Sequence, residues 1–185
     1  MKRIAVALAA LMVAASALGQ SGPLGYFQLT DDAHVIWQCV YESSLNGQDA
    51  EHRLQMEGFR ILDSANDLIV FYCDGLHISP EDFGYSRGET PMFVTGKDLA
   101  FRGFIQFKDG RYRVTLDRIL GVDNTTTAGG VFMKGNVDRF ETNALDGREF
   151  SRGFQKIPAR IYNTALYRIF LLMDPEAANH MGRDW

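Results

Sequence analysis

The sequence predicts an α+β domain: one antiparallel sheet with two helices on one face. Three observations carry this. Apolar patterning runs in the order strand, helix, at least four strands, helix. Asp109-Gly110 closes a hairpin whose polarity alternation agrees with the turn. A helical apolar stripe follows Pro158 near the end of the chain. One sheet with helices on one face is the simplest way to bury such elements. An eight-stranded lipocalin-like β-barrel is the alternative, and the two helices and few strands count against it.

The first segment stands apart from the fold. Lys2 and Arg3 precede an unbroken apolar run, Ile4 to Ala15, and the small-residue pattern Ala17-Leu18-Gly19. This is the layout of a secretory signal peptide, with Gln20 as the expected mature N-terminus. A membrane anchor is the other reading, but the run is well short of the ~20 residues that span a bilayer. Cleavage after Gly19 would remove two cations and no acid. The remaining 166 residues then carry 17 basic against 23 acidic side chains, a formal charge of −6. That balance argues against a nucleic-acid partner. No other segment of the mature chain is long and apolar enough to span a membrane, and export would end in the periplasm or outside the cell.

Residues 20–31 are Gly-rich and polar and read as a flexible leader to a single domain over 32–173. His34 to Glu42 reads as the first strand, with Val35, Trp37, Cys39 and Tyr41 on one face. Ser43 to Gly47 is a turn in which Ser43 or Ser44 would cap a short helix over Gln48–Glu57. That helix has an Ala50/Leu54 stripe, and Gly58 is its left-handed C-terminal cap. Phe59–Leu62 and Leu68–Cys73 read as strands. Residues 74–91 form an irregular connection, and Met92–Thr95 reads as a short strand.

The hairpin Phe101–Leu120 is the clearest signal. Asp-Gly favours a two-residue type I′ turn, because both central residues need positive φ. Closing there pairs Lys108 with Arg111, Phe107 with Tyr112, Ile105 with Val114 and Gly103 with Leu116 on one register. Gln106/Arg113, Phe104/Thr115 and Arg102/Asp117 share the other face. Residues 121–156 are irregular, too long for a plain loop in a compact domain, with a helical turn expected within Asp138–Leu145. Asn124-Thr125-Thr126 fits a glycosylation sequon. Pro158 to Met173 is the second helix, its stripe running through Ile157, Ile161, Ala165 or Leu166, Ile169, Phe170 and Met173. Residues 174–185 read as a mobile tail.

Several of these segments also carry a resemblance. Val35-Ile36-Trp37-Gln38 with Val40-Tyr41, Gly58-Phe59, Gly84-Tyr85-Ser86-Arg87 with Thr90-Pro91, and Gly110-Arg111-Tyr112-Arg113-Val114-Thr115-Leu116 resemble a family of secreted proteins of Bacteroidota-type bacteria. These carry an uncharacterised domain, domain of unknown function 4468, assigned a TBP-like fold (β-α-β4-α). The resemblance covers roughly residues 33–120. It implies the fold and an exported location and no activity. Cys39 and Cys73 are not part of the pattern.

Gly84-Tyr85-Ser86-Arg87-Gly88 spells Gly-x-Ser-x-Gly, but it lies in the irregular connection 74–91 and not on a strand-to-helix elbow. The His-Glu-x-x-His, Walker and dinucleotide-binding signatures are absent, so neither a catalytic residue nor a cofactor is expected. A metal-dependent hydrolase using His34, His77 and the nearby acids Asp31 and Asp32 is the alternative function. Cys39 and Cys73 lie on two strands that read as possible sheet neighbours, in an oxidising compartment. A disulfide there would stabilise by roughly 3–4 kcal/mol, and two buried free thiols are the other reading. Two surfaces are candidates for partner binding. Tyr85 and Arg87 lie on a Gly-flanked loop, where Tyr and Arg are typical of recognition, unless Tyr85 packs over the sheet and Arg87 ties the loop down. Arg102, Phe104, Arg111 and Arg113 lie on the hairpin's polar face, with Arg102 offset by Asp117 across it. The expected function is that of an exported, non-catalytic domain whose partner is an envelope protein or glycan.

Overall fold

The computed structural model describes residues 23–43, 45–65, 67–124 and 136–171. The signal-peptide and cleavage readings, Thr125 and Thr126 of the sequon, Met173 and the tail lie outside these residues.

The strands are β1 (Phe27–Leu29), β2 (Val35–Glu42), β3 (Arg60–Ala65), β4 (Leu68–Leu76), β5 (Lys97–Lys108), β6 (Arg111–Asp123) and β7 (Val137–Arg139). Helix α1 (Gly47–Met56) falls between β2 and β3, and the single turn α2 (Met92–Thr95) precedes β5. Short helices α3 (Phe140–Ala144) and α4 (Arg152–Gln155) flank a two-residue ribbon, and α5 (Ile157–Leu171) follows. The sheet order is β1-β2-β6-β5-β4-β3, all antiparallel, with β7 continuing along β6. Stripped of the short elements, the order is strand, helix, four strands, helix. β1 and β3 end the sheet without meeting, so it is open and the barrel alternative does not hold.

The hairpin register is the one the turn predicts: Lys108 opposes Arg111, Phe107 opposes Tyr112, Ile105 opposes Val114, and Arg102 opposes Asp117. Asp109 and Gly110 have φ of 51° and 71°, as a type I′ turn requires. The period-2 alternation sends Trp37, Cys39, Tyr41, Tyr112, Val114, Ile105, Ile69 and Phe71 to one face. There they join Ala50 and Leu54 of α1 and Ile161, Leu166 and Phe170 of α5 in one buried cluster. Phe170 is central, with ring centroids 5.9 Å from Trp37, 6.0 Å from Phe59 and 5.9 Å from Phe71. Gly103 is required here, because a Cβ at that position would lie 2.0 Å from Phe71 Cζ.

Four expectations are corrected. Residues 23–31 are not a flexible leader: Phe27 is buried, β1 pairs with β2, and Asn163 of α5 anchors the preceding turn. Asn163 Oδ1 accepts from the Tyr26 amide at 3.0 Å and from Trp37 Nε1 at 2.9 Å, and its Nδ2 donates to the Leu24 carbonyl. The α1 cap is Asn46, whose Oδ1 accepts from the Asp49 amide at 2.9 Å, while Ser43 instead accepts from the Leu45 amide. Met92–Thr95 is a helical turn, because Pro91 sets φ at −56° and its carbonyl accepts from the Val94 amide. The stretch 121–156 holds the expected helical turn as α3, beside β7 and α4, and begins as the last residues of β6.

The fourth correction concerns the cysteines. β2 and β4 are not neighbours, because β6 and β5 lie between them. Three strand spacings amount to ~14 Å, twice the Cα separation a disulfide tolerates. Cys39 and Cys73 are buried free thiols. Burial pushes both up to about 11, so they are protonated and inert near neutrality.

Candidate functional site

Among the described residues, no helix covers the face opposite the core. Here the strands present the residues that alternate with the buried set: Arg60 from β3, Tyr72 from β4, Arg102 and Phe104 from β5, Thr115 and Asp117 from β6, and Gln38 and Val40 from β2. Arg60, Tyr72, Arg102 and Asp117 form one continuous row across four strands, because each opposes the next in register. The Arg60 guanidinium lies 5.3 Å from the Tyr72 ring centroid, and that of Arg102 lies 4.8 Å from the Phe104 centroid. Such stacks hold cations over aromatic faces while leaving donors free for a partner.

The charges on this face are largely internally matched. Arg102 grips Asp117 with two parallel hydrogen bonds, the Nε–Oδ1 bond measuring 2.8 Å. That bonding raises Arg102 further above its ordinary range. Arg113 donates from Nε to Gln106 Oε1 at 3.1 Å, and Gln38 donates to Thr115 at 3.0 Å. Arg111 stands exposed at the hairpin end, opposite Glu42 of β2.

Tyr85 and Arg87 occupy a different part of the molecule. Their loop follows the 3-10 turn Pro80–Phe83, which leaves through Gly84 at φ 79°. Tyr85 is half-buried against the core, and Arg87 pairs with Glu81 at 3.1 Å on the surface. Ser86 donates to Glu89 at 2.7 Å, and Thr90 donates to the Ser86 carbonyl at 2.9 Å, closing the loop on itself. Beside it, Tyr85, Arg160 and Arg168 border an open groove of about 670 Å3, where Arg168 lies over the Phe83 ring. The six predicted partner-binding residues thus divide: Arg102, Phe104, Arg111 and Arg113 share the open sheet face, whereas Tyr85 and Arg87 sit on a self-tied loop beside α5.

The two histidines of the hydrolase reading do not converge. His34 Nδ1 lies 3.6 Å from Glu141 and 3.3 Å from Arg139, at the start of β2. His77 Nδ1 lies 2.8 Å from Asp98, beyond the end of β4. Among the described residues, no group of three or more His, Cys, Asp or Glu is placed to hold a metal. Asp31 and Asp32 lie in the turn between β1 and β2. None of the helices among the described residues is long and apolar enough to cross a membrane.

Sequence reasoning missed the Arg60–Tyr72 stack. It depends on an irregular β3–β4 register, with a shift between Ile61 and Asp63, that no local pattern announces.

No protein-family model matches the chain, and no curated protein matches it. Two solved structures are similar. A TBP-like protein from Parabacteroides distasonis aligns with a TM-score of 0.48 and 8% identity, over 78% of this chain and 92% of that one. A DUF4468 family protein from Bacteroides ovatus aligns with a TM-score of 0.48 and 13% identity, over 80% of this chain and 90% of that one.

Proposed function

We propose that this chain is an exported, non-catalytic domain that binds another envelope macromolecule, a protein or a glycan, through the open face of its sheet. One observation carries the reading: among the described residues a whole sheet face is left uncovered, and its centre is a row of interleaved Arg and aromatic side chains. Arg and Tyr dominate the binding energy of interfaces, because they combine large apolar area with fixed polar geometry. Stacking also lowers the entropy lost when a partner docks, since each guanidinium is already held. Export is supported by the basic, apolar and small-residue layout of residues 1–19.

Photo-crosslinking side chains at Phe104, Arg111 and Tyr85 test the surface in cells, with Met56, 74% exposed on α1, as the control. A discrete adduct at Phe104 or Arg111 above the Met56 background is expected. Adducts at Tyr85 alone would move the interface to the loop beside α5, and background levels at all three positions would sink the binding reading. For export, the intact mass of the secreted chain should begin at Gln20. A cell-associated chain that retains residues 1–19 contradicts it.

A further inference from the structure

The sheet splits at one place. β2 pairs with β6 as far as Trp37 and Leu116, and β7 takes over at Leu120. Between them β6 bulges, so that Phe101 of β5 faces both Arg118 and Ile119. The carboxylate of Glu141 fills the split, with Oε1 accepting from the Val35 amide at 3.0 Å. What remains is a notch of about 580 Å3, within the size range of small-molecule sites. Val35, Ile36, Ile119 and Leu120 form its apolar side.

The polar rim is basic. Arg102, Arg118 and Arg139 border the notch, against the two carboxylates of Asp117 and Glu141. Both carboxylates are occupied: Asp117 by the double bond from Arg102, Glu141 by the Val35 amide with Arg139 Nε 3.8 Å away. Arg118 is exposed and makes no ion pair with any described residue. Its backbone also sits in the left-handed region, at φ 49°. Among the described residues only three non-glycine positions have positive φ. Asp109 and Ala33 sit in the turns of their hairpins, Ala33 donating its N–H to the Thr30 carbonyl, while Arg118 borders this notch. The bulge sets this left-handed conformation, which a residue with a β-carbon adopts less readily than glycine.

We propose that this notch binds a small amphipathic anion, a carboxylate or phosphate monoester on a short alkyl or aryl group. Arg118 is its principal cation, Arg139 lies beside the head group, and the apolar wall takes the tail. A bidentate guanidinium suits both head groups. The proposal goes beyond the macromolecular reading and does not depend on it.

Titrations of the full chain with octanoate and with octyl phosphate, against octylammonium as the charge-reversed control, test it. Saturable binding of either anion and none of the ammonium is expected, and the tighter anion identifies the head group. Arg118→Gly removes the cation while suiting the left-handed backbone. It should lower affinity about tenfold or more with no fall in Tm. Arg118→Lys should keep part of the affinity, and Arg160→Ala, by the groove beside α5, should keep all of it. Absence of saturable binding by both anions, equal binding of octylammonium, or full affinity in Arg118→Gly overturns the site.

Discussion

The two faces of this sheet are built from the same strands, residue by alternating residue, and they solve opposite problems. The covered face buries large rings with few polar atoms. Where a polar atom does enter, it is bonded: Tyr112 Oη donates to the Phe170 carbonyl at 2.7 Å, and Trp37 Nε1 donates to Asn163. The open face carries charges and aromatics in contact with water, matched locally by Arg102–Asp117, Arg113–Gln106 and two cation–π stacks. Stability therefore resides mainly on one face, and the charged and exposed aromatic groups are concentrated on the other. In such an arrangement a surface for binding can change without disturbing the fold, because exposed pairs contribute little to folding while buried rings contribute much.

That contrast predicts a graded series of effects. Phe170→Ala removes the ring that Trp37, Phe59 and Phe71 share, and should cost about 3–5 kcal/mol in urea unfolding. Gly103→Ala drives a Cβ into the Phe71 ring and should cost up to about 3 kcal/mol, whereas Phe104→Ala, one residue along on the open face, should cost under about 1 kcal/mol. Equal effects at positions 103 and 104 would erase the distinction between the faces.

Asn163→Ala should cost about 1–3 kcal/mol, because it leaves the Trp37 indole N–H, the Tyr26 amide and the Leu24 carbonyl without their partner. Hydrogen exchange should show the loss concentrated in the Leu24–Leu29 segment. Uniform loss across the sheet would contradict the anchoring role of Asn163.

The thiols predict a decline in alkali. Burial raises Cys39 and Cys73 to about 11 in the folded chain, while the unfolded chain ionises near pH 8.5. Stability from this source is complete below about pH 8.5 and is lost as pH rises through that window toward about 11, by at most about 1.4 kcal/mol per pH unit for each thiol. The Cys39→Ala/Cys73→Ala chain, weaker at neutrality from its cavities, should show a flatter slope there. Native chain should react slowly with a thiol reagent and release two equivalents after denaturation. Release of none would restore the disulfide.

The smallest effect is expected at Arg102 and Asp117. A double-mutant cycle should return a coupling of about 0.5–1 kcal/mol that shrinks with added salt. A coupling of several kcal/mol would mean that the open face also holds the fold together.

Local chemistry made part of this molecule readable in advance. Asp109-Gly110 dictates both the turn and the pairing of Arg102 with Asp117, because register propagates from a two-residue loop without further information. The stripes of β2, α1 and α5 follow from side-chain period. Other features depend on partners far along the chain. Strand β1 has three residues in a Gly-rich context and forms because Asn163, well over a hundred residues later, ties down the turn before it. The separation of Cys39 from Cys73 follows from strand order, and strand order is a long-range choice. The open-face candidates were legible because the hairpin was. The notch was not, because Arg118 reaches its border through a bulge that only the pairing of three strands reveals.

The pairing of β2 with β6 carries a consequence for how the molecule comes into being. Trp37 must wait for Leu116, and the ring of Phe170 must arrive after both. A chain delivered from its N-terminus therefore shows an unfinished apolar surface until the last helix emerges. Contacts this distant also slow closure, and the exposed interval invites self-association. Truncation before α5 should yield an aggregate rather than a smaller folded protein.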